Sequence, residues 1–347
     1  MTRSSRRDLL VNVSTMYHKQ GLTQGEIASK VKVSRQTVSR LLQEAVDVGI
    51  VTFEIRDPTS EVKELGMQVR TRFNLAEATV VDAGGLDADR ALRETTRVAA
   101  LGCYERMASS SIIGMLWGPT VLEFSHNLPR GQYPGLTIAQ MGGMLPTIPG
   151  RNAIDPAVTA AADMLGAEAD LIAAPLFVDT PVIRNAIMSD SRIAAALEKA
   201  RRADMYIFSV GKATIDGGLY QSGYVTTAEI DMLESEGAVG ELCGLFYSAT
   251  GESCGAELES RTIALTRDEI RTIPQRVLIA AGASKAPAVA GALAGGYATE
   301  VFLDSNLATA LLELTEPEPA DHSDLSCPAC GVALQYRDGS LAPAGHP

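Results

Sequence analysis

Seven apolar runs, at residues 79–81, 112–116, 136–141, 169–178, 205–210, 276–280 and 300–303, alternate with stretches of helical period. The helical patterns fall at 90–107, 120–127, 190–202, 226–236 and 284–295, and Thr226 with Glu229 forms a capping pair at the start of the fourth. A strand that pairs with a parallel neighbour needs a crossover of about a dozen residues, which a helix supplies. The alternation therefore predicts an α/β domain with a largely parallel sheet. At 347 residues the chain is too long for one ordinary core, and 46 % hydrophobic against 21 % charged residues excludes wholesale disorder.

The first 57 residues have another texture. A helical stripe of Leu9, Val13, Met16 and Tyr17 stops at Gly21, and Thr23 with Glu26 makes a capping box that opens a second helix. That helix is short, because Val31, Lys32 and Val33 lead straight to a second N-cap, Ser34. The third helix carries Val38, Leu41, Leu42, Ala45 and Val48 on one face and ends at Gly49; residues 50–55 alternate as a half-buried strand. This order predicts a winged helix-turn-helix over residues 1–57.

Charge supports a nucleic-acid role for that head. The whole chain is at −12, yet residues 1–57 hold nine Lys/Arg against six acids, +3, leaving −15 for the rest. In a helix-turn-helix the second helix enters the major groove, and polar side chains near its N-terminus meet base edges. Here those are Ser34, Arg35, Gln36, Thr37, Ser39 and Arg40, with Thr23, Gln24 and Lys32 placed for phosphates. A plain helical hairpin with a solvated face is the competing reading; caps, apolar stripe, polar N-terminal face and ribbon together favour DNA.

Residues 58–74 read as a linker helix with Val62, Leu65, Val69 and Phe73 in a stripe that could also serve as a dimer seam, and 75–315 as the large domain. From 316 to 347 the period disappears and five of the sixteen prolines accumulate, predicting a disordered tail. Cys327-Pro-Ala-Cys330 is half of a zinc ribbon with no second Cys pair, so no metal is expected there. Five scattered cysteines point to a reducing compartment, and the start of the chain carries no sustained apolar run of the secretory kind. A cytoplasmic protein without a membrane partner is expected.

Beyond the carboxyl ends of parallel strands, glycine lets backbone amides approach a phosphate, and the following helix N-terminus favours it. Three places fit: Gly118-Pro119-Thr120 after the second run, Gln140-Met141-Gly142-Gly143 after the third, and Gly282-Ala283-Ser284-Lys285, where an ammonium would meet an anion. A lone glycine turn is usually only a tight connection. Three at equivalent ends of one sheet point to a ligand.

These residues carry a family resemblance over roughly 6–314. Thr23-Gln24-Gly25-Glu26-Ile27-Ala28, the segment 33–40, Leu116-Trp117-Gly118-Pro119-Thr120-Val121, Gly237-Ala238-Val239-Gly240-Glu241, residues 280–286 and Val301-Phe302-Leu303-Asp304 with Ala308 resemble the SorC/DeoR-type sugar-binding transcriptional regulators of bacteria. The resemblance implies a Rossmann-like effector domain similar to the ribose-phosphate isomerase and glucosamine-phosphate deaminase fold. It also implies homodimers or homotetramers on double-stranded operator DNA, and a phosphorylated sugar or polyol as effector, with no cofactor. By match, Gly118, Thr120, Gln140, Gly142, Gly143, Lys285 and Asp304 would line the pocket, with Glu241 where the family commonly has aspartate. The loop 210–218 departs from the family's Gly-Ile-Gly habit, leaving the ligand's distal end open.

A sugar-phosphate isomerase or deaminase with an accessory head is the alternative, with Asp216, Glu241 or Asp304 as base. Fold alone is a weak reason for it. Only His18, His126, His322 and His346 are present, and no lysine occurs between Lys63 and Lys199 to form a Schiff base in the first half of the domain. A regulator rather than an enzyme is expected.

Overall fold

The computed structural model describes residues 3–51, 58–145, 157–314, 334–337 and 340–343. It divides into two units, 1–57 and 58–347.

In the head, α1 (Arg3–His18), α2 (Gln24–Val31) and α3 (Arg35–Asp47) enclose Leu10, Val13, Ile27, Ala28, Val38, Leu41, Leu42 and Ala45. Both expected caps form. Thr23 Oγ1 accepts from the Glu26 amide while the Glu26 carboxylate accepts from the Thr23 amide at 2.8 Å; Ser34 Oγ accepts from the Thr37 amide at 3.1 Å. Arg6 donates twice to Glu44, at 2.8 and 2.6 Å, tying α1 to α3. The expected strand at 50–55 lies outside the described residues beyond Val51; Ile50 and Val51 pack on the head core.

The second unit begins with α4 (Pro58–Arg72), β1 (Glu77–Val81), α5 (Ala88–Ala108), β2 (Ile112–Met115), α6 (Pro119–His126), β3 (Thr137–Gln140), α7 (Ala157–Leu165) and β4 (Glu168–Asp170). There follow α8 (Pro181–Met188), α9 (Ser191–Arg201), β5 (Met205–Phe208), β6 (Gly211–Lys212), α10 (Gly218–Gln221), α11 (Thr227–Ser235), β7 (Ala238–Leu242), β8 (Leu245–Ser248) and β9 (Ser253–Cys254). The unit continues with α12 (Ala256–Ser260), α13 (Arg267–Thr272), β10 (Gln275–Ala280), α14 (Ala286–Ala294), β11 (Glu300–Asp304) and α15 (Ser305–Glu313).

All seven apolar runs contribute to one parallel sheet, ordered β1-β11-β10-β5-β2-β3-β4. Successive side chains face opposite sides. Met205 and Ile207 of β5 join the core under α5, α6 and α7, whereas Tyr206 and Phe208 join the core that includes α4, α9, α14 and α15 residues. From β2 the chain builds outward to β3 and β4, then returns across β2 to lay down β5, β10 and β11. The order reverses between β2 and β5, and ligands of open α/β sheets sit beyond the strand ends at such a reversal.

Several expectations are corrected. The run 169–178 yields only the short β4; beyond it Pro175 and Phe177 make isolated bridges with Met144 and Thr262. The stripe of α4 is no free seam: Val69 is fully buried in the body core with Val62, Leu65 and Phe73 against it, and Arg72 donates to the carbonyls of Leu312 and Leu314 at 2.7 and 2.6 Å. A four-stranded antiparallel sheet, β6-β7-β8-β9, stands where the sequence pattern predicted none. Of the tail, the described residues form an antiparallel ribbon, Leu334–Arg337 with Ser340–Pro343, where no regular structure was expected; Cys327 and Cys330 lie outside them. Among the described residues no helix is long and apolar enough to cross a membrane.

Candidate functional site

In the head, the inward face of α3 is buried at Val38, Leu41, Leu42 and Ala45, which turns Arg35, Gln36, Ser39 and Arg40 to water. Ser34 and Thr37 bond each other's hydroxyls at 2.8 Å, so their first task is to fix the helix start. Thr23 likewise serves its cap, Gln24 is the first residue of α2, and Lys32 ends that helix in a left-handed conformation, φ 55°. A crevice of about 630 Å³ between the α1–α2 turn and Arg35 is lined by Tyr17, Thr23 and Gln24. The nine expected DNA contacts thus lie along one helix-turn-helix, seven of them exposed and Gln24 and Thr37 half-buried.

In the body, the ends of β2, β5 and β10 are neighbours in the sheet, so β2 and β10 are about 10 Å apart. After β2, Gly118 has φ 129° and caps α6 without a side-chain bond. The first helical bond runs from the Leu122 amide to the Gly118 carbonyl, leaving the Thr120 and Val121 amides without intrahelical partners. After β10, Gly282 has φ 95°, and a Cβ at either Gly118 or Gly282 would meet nothing within 4 Å. The Gly118 turn therefore offers free amides, whereas the Gly282 turn offers open space beside its Cα, its own amide being taken by Asp304.

Near them stand two charges of opposite sign, both withdrawn from water. Lys285 Nζ donates to Ser209 Oγ, just past β5, at 3.4 Å. Burial pulls the Lys285 amine down to about 8; the Glu241 carboxylate opposes that shift and the Lys212 charge adds to it. Glu241, on β7, is 6 % exposed, and burial pushes its carboxyl up to about 7 against the opposing Gly244 amide, at 3.0 Å, and Lys285. Gly211 pairs with Glu241, and any Cβ there would strike the carboxylate.

The shifted Glu241 gives a stability prediction. Between about pH 4.5 and 7 the folded state binds more protons at Glu241 than the unfolded state does, so its contribution weakens as pH rises, by on the order of 3 kcal/mol at the limit. Glu241→Gln is therefore expected to raise the melting temperature clearly at pH 8 and little at pH 4.5. An equal shift at both pH values would contradict it.

The other expected residues have structural duties. Both Asp304 oxygens accept backbone amides, one from Gly282 and one from Leu307 at 3.0 Å, so this 1 % exposed carboxylate shapes the Gly282 turn and caps α15. Gln140 Oε1 accepts from the Ile172 amide at 3.2 Å. The Gly143 amide donates to the Ile263 carbonyl at 2.7 Å, Gly142 bridges Ala264, and a Cβ on Gly143 would strike Pro175. That turn is knitted into the backbone rather than open. Sequence reasoning missed Ser209 and Lys212 as neighbours of Lys285; a glycine and lysine soon after a buried strand was the signal.

Comparison with known proteins agrees with this division. A family described as "Putative sugar-binding domain" matches residues 57–313, and the MarR family matches 13–60. The chain is 26 % identical over 307 residues to the deoxyribonucleoside regulator of Bacillus subtilis, covering 88 % of this chain and 98 % of that one. It is 28 % identical over 307 residues to the sorbitol operon regulator of Klebsiella pneumoniae, with the same coverage. The crystal structure of that full-length regulator, SorC, matches with a TM-score of 0.68 at 27 % identity, covering 88 % of this chain and 98 % of that one.

Proposed function

Because the chain belongs to the SorC/DeoR-type family of sugar-binding transcriptional regulators, we propose that it controls a carbohydrate or sugar-alcohol catabolic operon in response to a phosphorylated sugar or polyol. The head grips operator DNA through α3, and the body, similar to the ribose-phosphate isomerase and glucosamine-phosphate deaminase fold, holds the effector. The observation that carries this reading is Lys285, a half-buried ammonium that follows β10 and the Gly282 turn and reaches Ser209 at the end of β5, beside the sheet's reversal between β5 and β2. Gly118, Thr120 and Lys285 face the phosphoryl group, Glu241 accepts from or donates to a hydroxyl, and Gln140, Gly142, Gly143 and Asp304 hold the walls. The protein acts as a homodimer or homotetramer on a palindromic site, and effector works only through different affinity for two subunit arrangements.

A thermal-shift screen of free and phosphorylated pentoses, hexoses and polyols tests this. A phosphorylated compound is expected to stabilise by about 2.7 kcal/mol at about a hundredfold excess over its Kd, and its free counterpart hardly at all. Equal stabilisation by both forms would remove the phosphate from the reading, and turnover of the stabilising compound would favour an enzyme.

A further inference from the structure

We propose that Lys212 is the second cation of the body's anion site, and that Asp216 occupies its ammonium until a phosphoryl group takes the carboxylate's place. The proposal rests on the reading above, that a phosphorylated metabolite binds beside Lys285.

Lys212 lies three residues beyond Ser209, the Lys285 partner, on the strand whose Gly211 pairs with Glu241. Its side chain is 22 % exposed, and it forms an ion pair with Asp216, which is 65 % exposed. The buried partner is thus the cation, and the carboxylate comes from the solvent side. Thr214 Oγ1 donates to the other Asp216 oxygen at 2.5 Å, the Gly217 amide donates to the Thr214 carbonyl at 2.8 Å, and Gln221 Nε2 donates to the Ile215 carbonyl at 2.6 Å. Asp216 is therefore held in place by its own loop. Ile215, at the tip, is 56 % exposed while Ala213 is fully buried, so the tip can move without opening the core.

Charge balance favours such a device. Glu241 stands with Lys285 and Asp216 with Lys212, two acids for two cations. A phosphate monoester brings about −1.5 to −2 charges and three acceptor oxygens, more than Lys285 can neutralise while Glu241 is ionised. Moving Asp216 into water uncovers one positive charge at almost no desolvation cost, because that carboxylate is already largely hydrated.

Calorimetric titration of the full-length protein with inorganic phosphate, and with the phosphosugar that emerges from the thermal screen, tests the exchange. Lys212→Met is expected to weaken phosphate by about tenfold or more, and Lys212→Arg to stay within about threefold of the parent. Asp216→Asn is expected to tighten phosphate about threefold, and to do nothing when Lys212 is already Met. Equal tightening with and without Lys212 would mean simple charge repulsion and would overturn the exchange. If Lys285→Met abolishes binding while every Lys212 and Asp216 variant binds like the parent, the exchange is wrong and the reading of a phosphate site at Lys285 stands. If the parent binds neither probe, both fall. Lys212→Gln repeats the charge removal should Lys212→Met melt early.

Discussion

Replacing Arg35 and Arg40 together by alanine is expected to abolish operator binding at physiological salt while the body still gains thermal stability from its effector. Arg35 is the first residue of α3 and Arg40 lies five residues on, and both are exposed. The buried face of the helix is untouched, and the Ser34–Thr37 cap remains, so the head keeps its fold. The Glu44 carboxylate accepts two bonds from Arg6, so the tie between α1 and α3 does not depend on Arg40, whose charge adds only a further attraction on Glu44. An arginine on a guanine edge is worth about 1–3 kcal/mol, so a pair of such contacts accounts for roughly thirtyfold to twenty-thousandfold in affinity. The remaining 290 residues carry −15 and so supply no net attraction to the duplex. Fluorescence anisotropy over a salt series separates the roles: removing a cation that sits on a phosphate lowers the salt slope by about one, whereas removing a side chain that reads a base edge relaxes sequence preference. Retained binding, or loss of the effector response along with binding, would contradict separate duties for head and body.

The sheet was legible because its strands are buried on both faces and therefore read as uninterrupted apolar runs, bounded by glycine and proline. The central strands stand out for that reason, whereas the edge strand β4, Glu168-Ala169-Asp170, is only partly buried and the apolar run 169–178 mostly lies beyond it. The antiparallel sheet does not, because β6 and β9 are two residues long and β7 carries Gly240 and Glu241, which no hydrophobic pattern reveals. Helix starts in the head were legible because capping boxes are local, with Thr23 and Glu26 three residues apart. The site was legible only in part. A glycine after a strand signals a tight approach, but sequence does not say whether backbone or ligand makes that approach. At Gly143 it is the Pro175 backbone; at Gly118 and Gly282 the space is open. Asp304 shows the same ambiguity: an acid at a strand end serves equally a sugar hydroxyl or a helix cap, and here its oxygens bond the Gly282 and Leu307 amides. What brings Lys285, Ser209 and Glu241 together is a long-range strand order, which the local pattern does not contain.

Lys285→Met is expected to leave operator binding intact while removing the effector response, and the parent protein should show why through its protons. An anion against Lys285 favours the ammonium, so binding raises that amine from about 8 and draws up a proton from solution. The same anion disfavours an ionised Glu241, raising its carboxyl from about 7 and drawing up part of a second proton. The sign follows: affinity falls as pH rises through 7 and 8, approaching about tenfold per unit where one proton is taken up. Below about pH 6 the phosphate monoester itself loses its second charge and affinity falls again. Titration in buffers of different ionisation enthalpy at pH 8 should therefore report net proton uptake in the parent, less in Glu241→Gln, and little measurable binding in Lys285→Met. A charge-assisted bond of this kind is worth about 1.5–3 kcal/mol, a tenfold to hundredfold loss of affinity. Because the substituted group lies in the body and Arg35 and Arg40 lie in the head, promoter fragments should bind the variant as they bind the parent, with effector no longer altering that binding. Binding without proton uptake, or an unaltered response in Lys285→Met, would place the phosphoryl group elsewhere on the sheet edge.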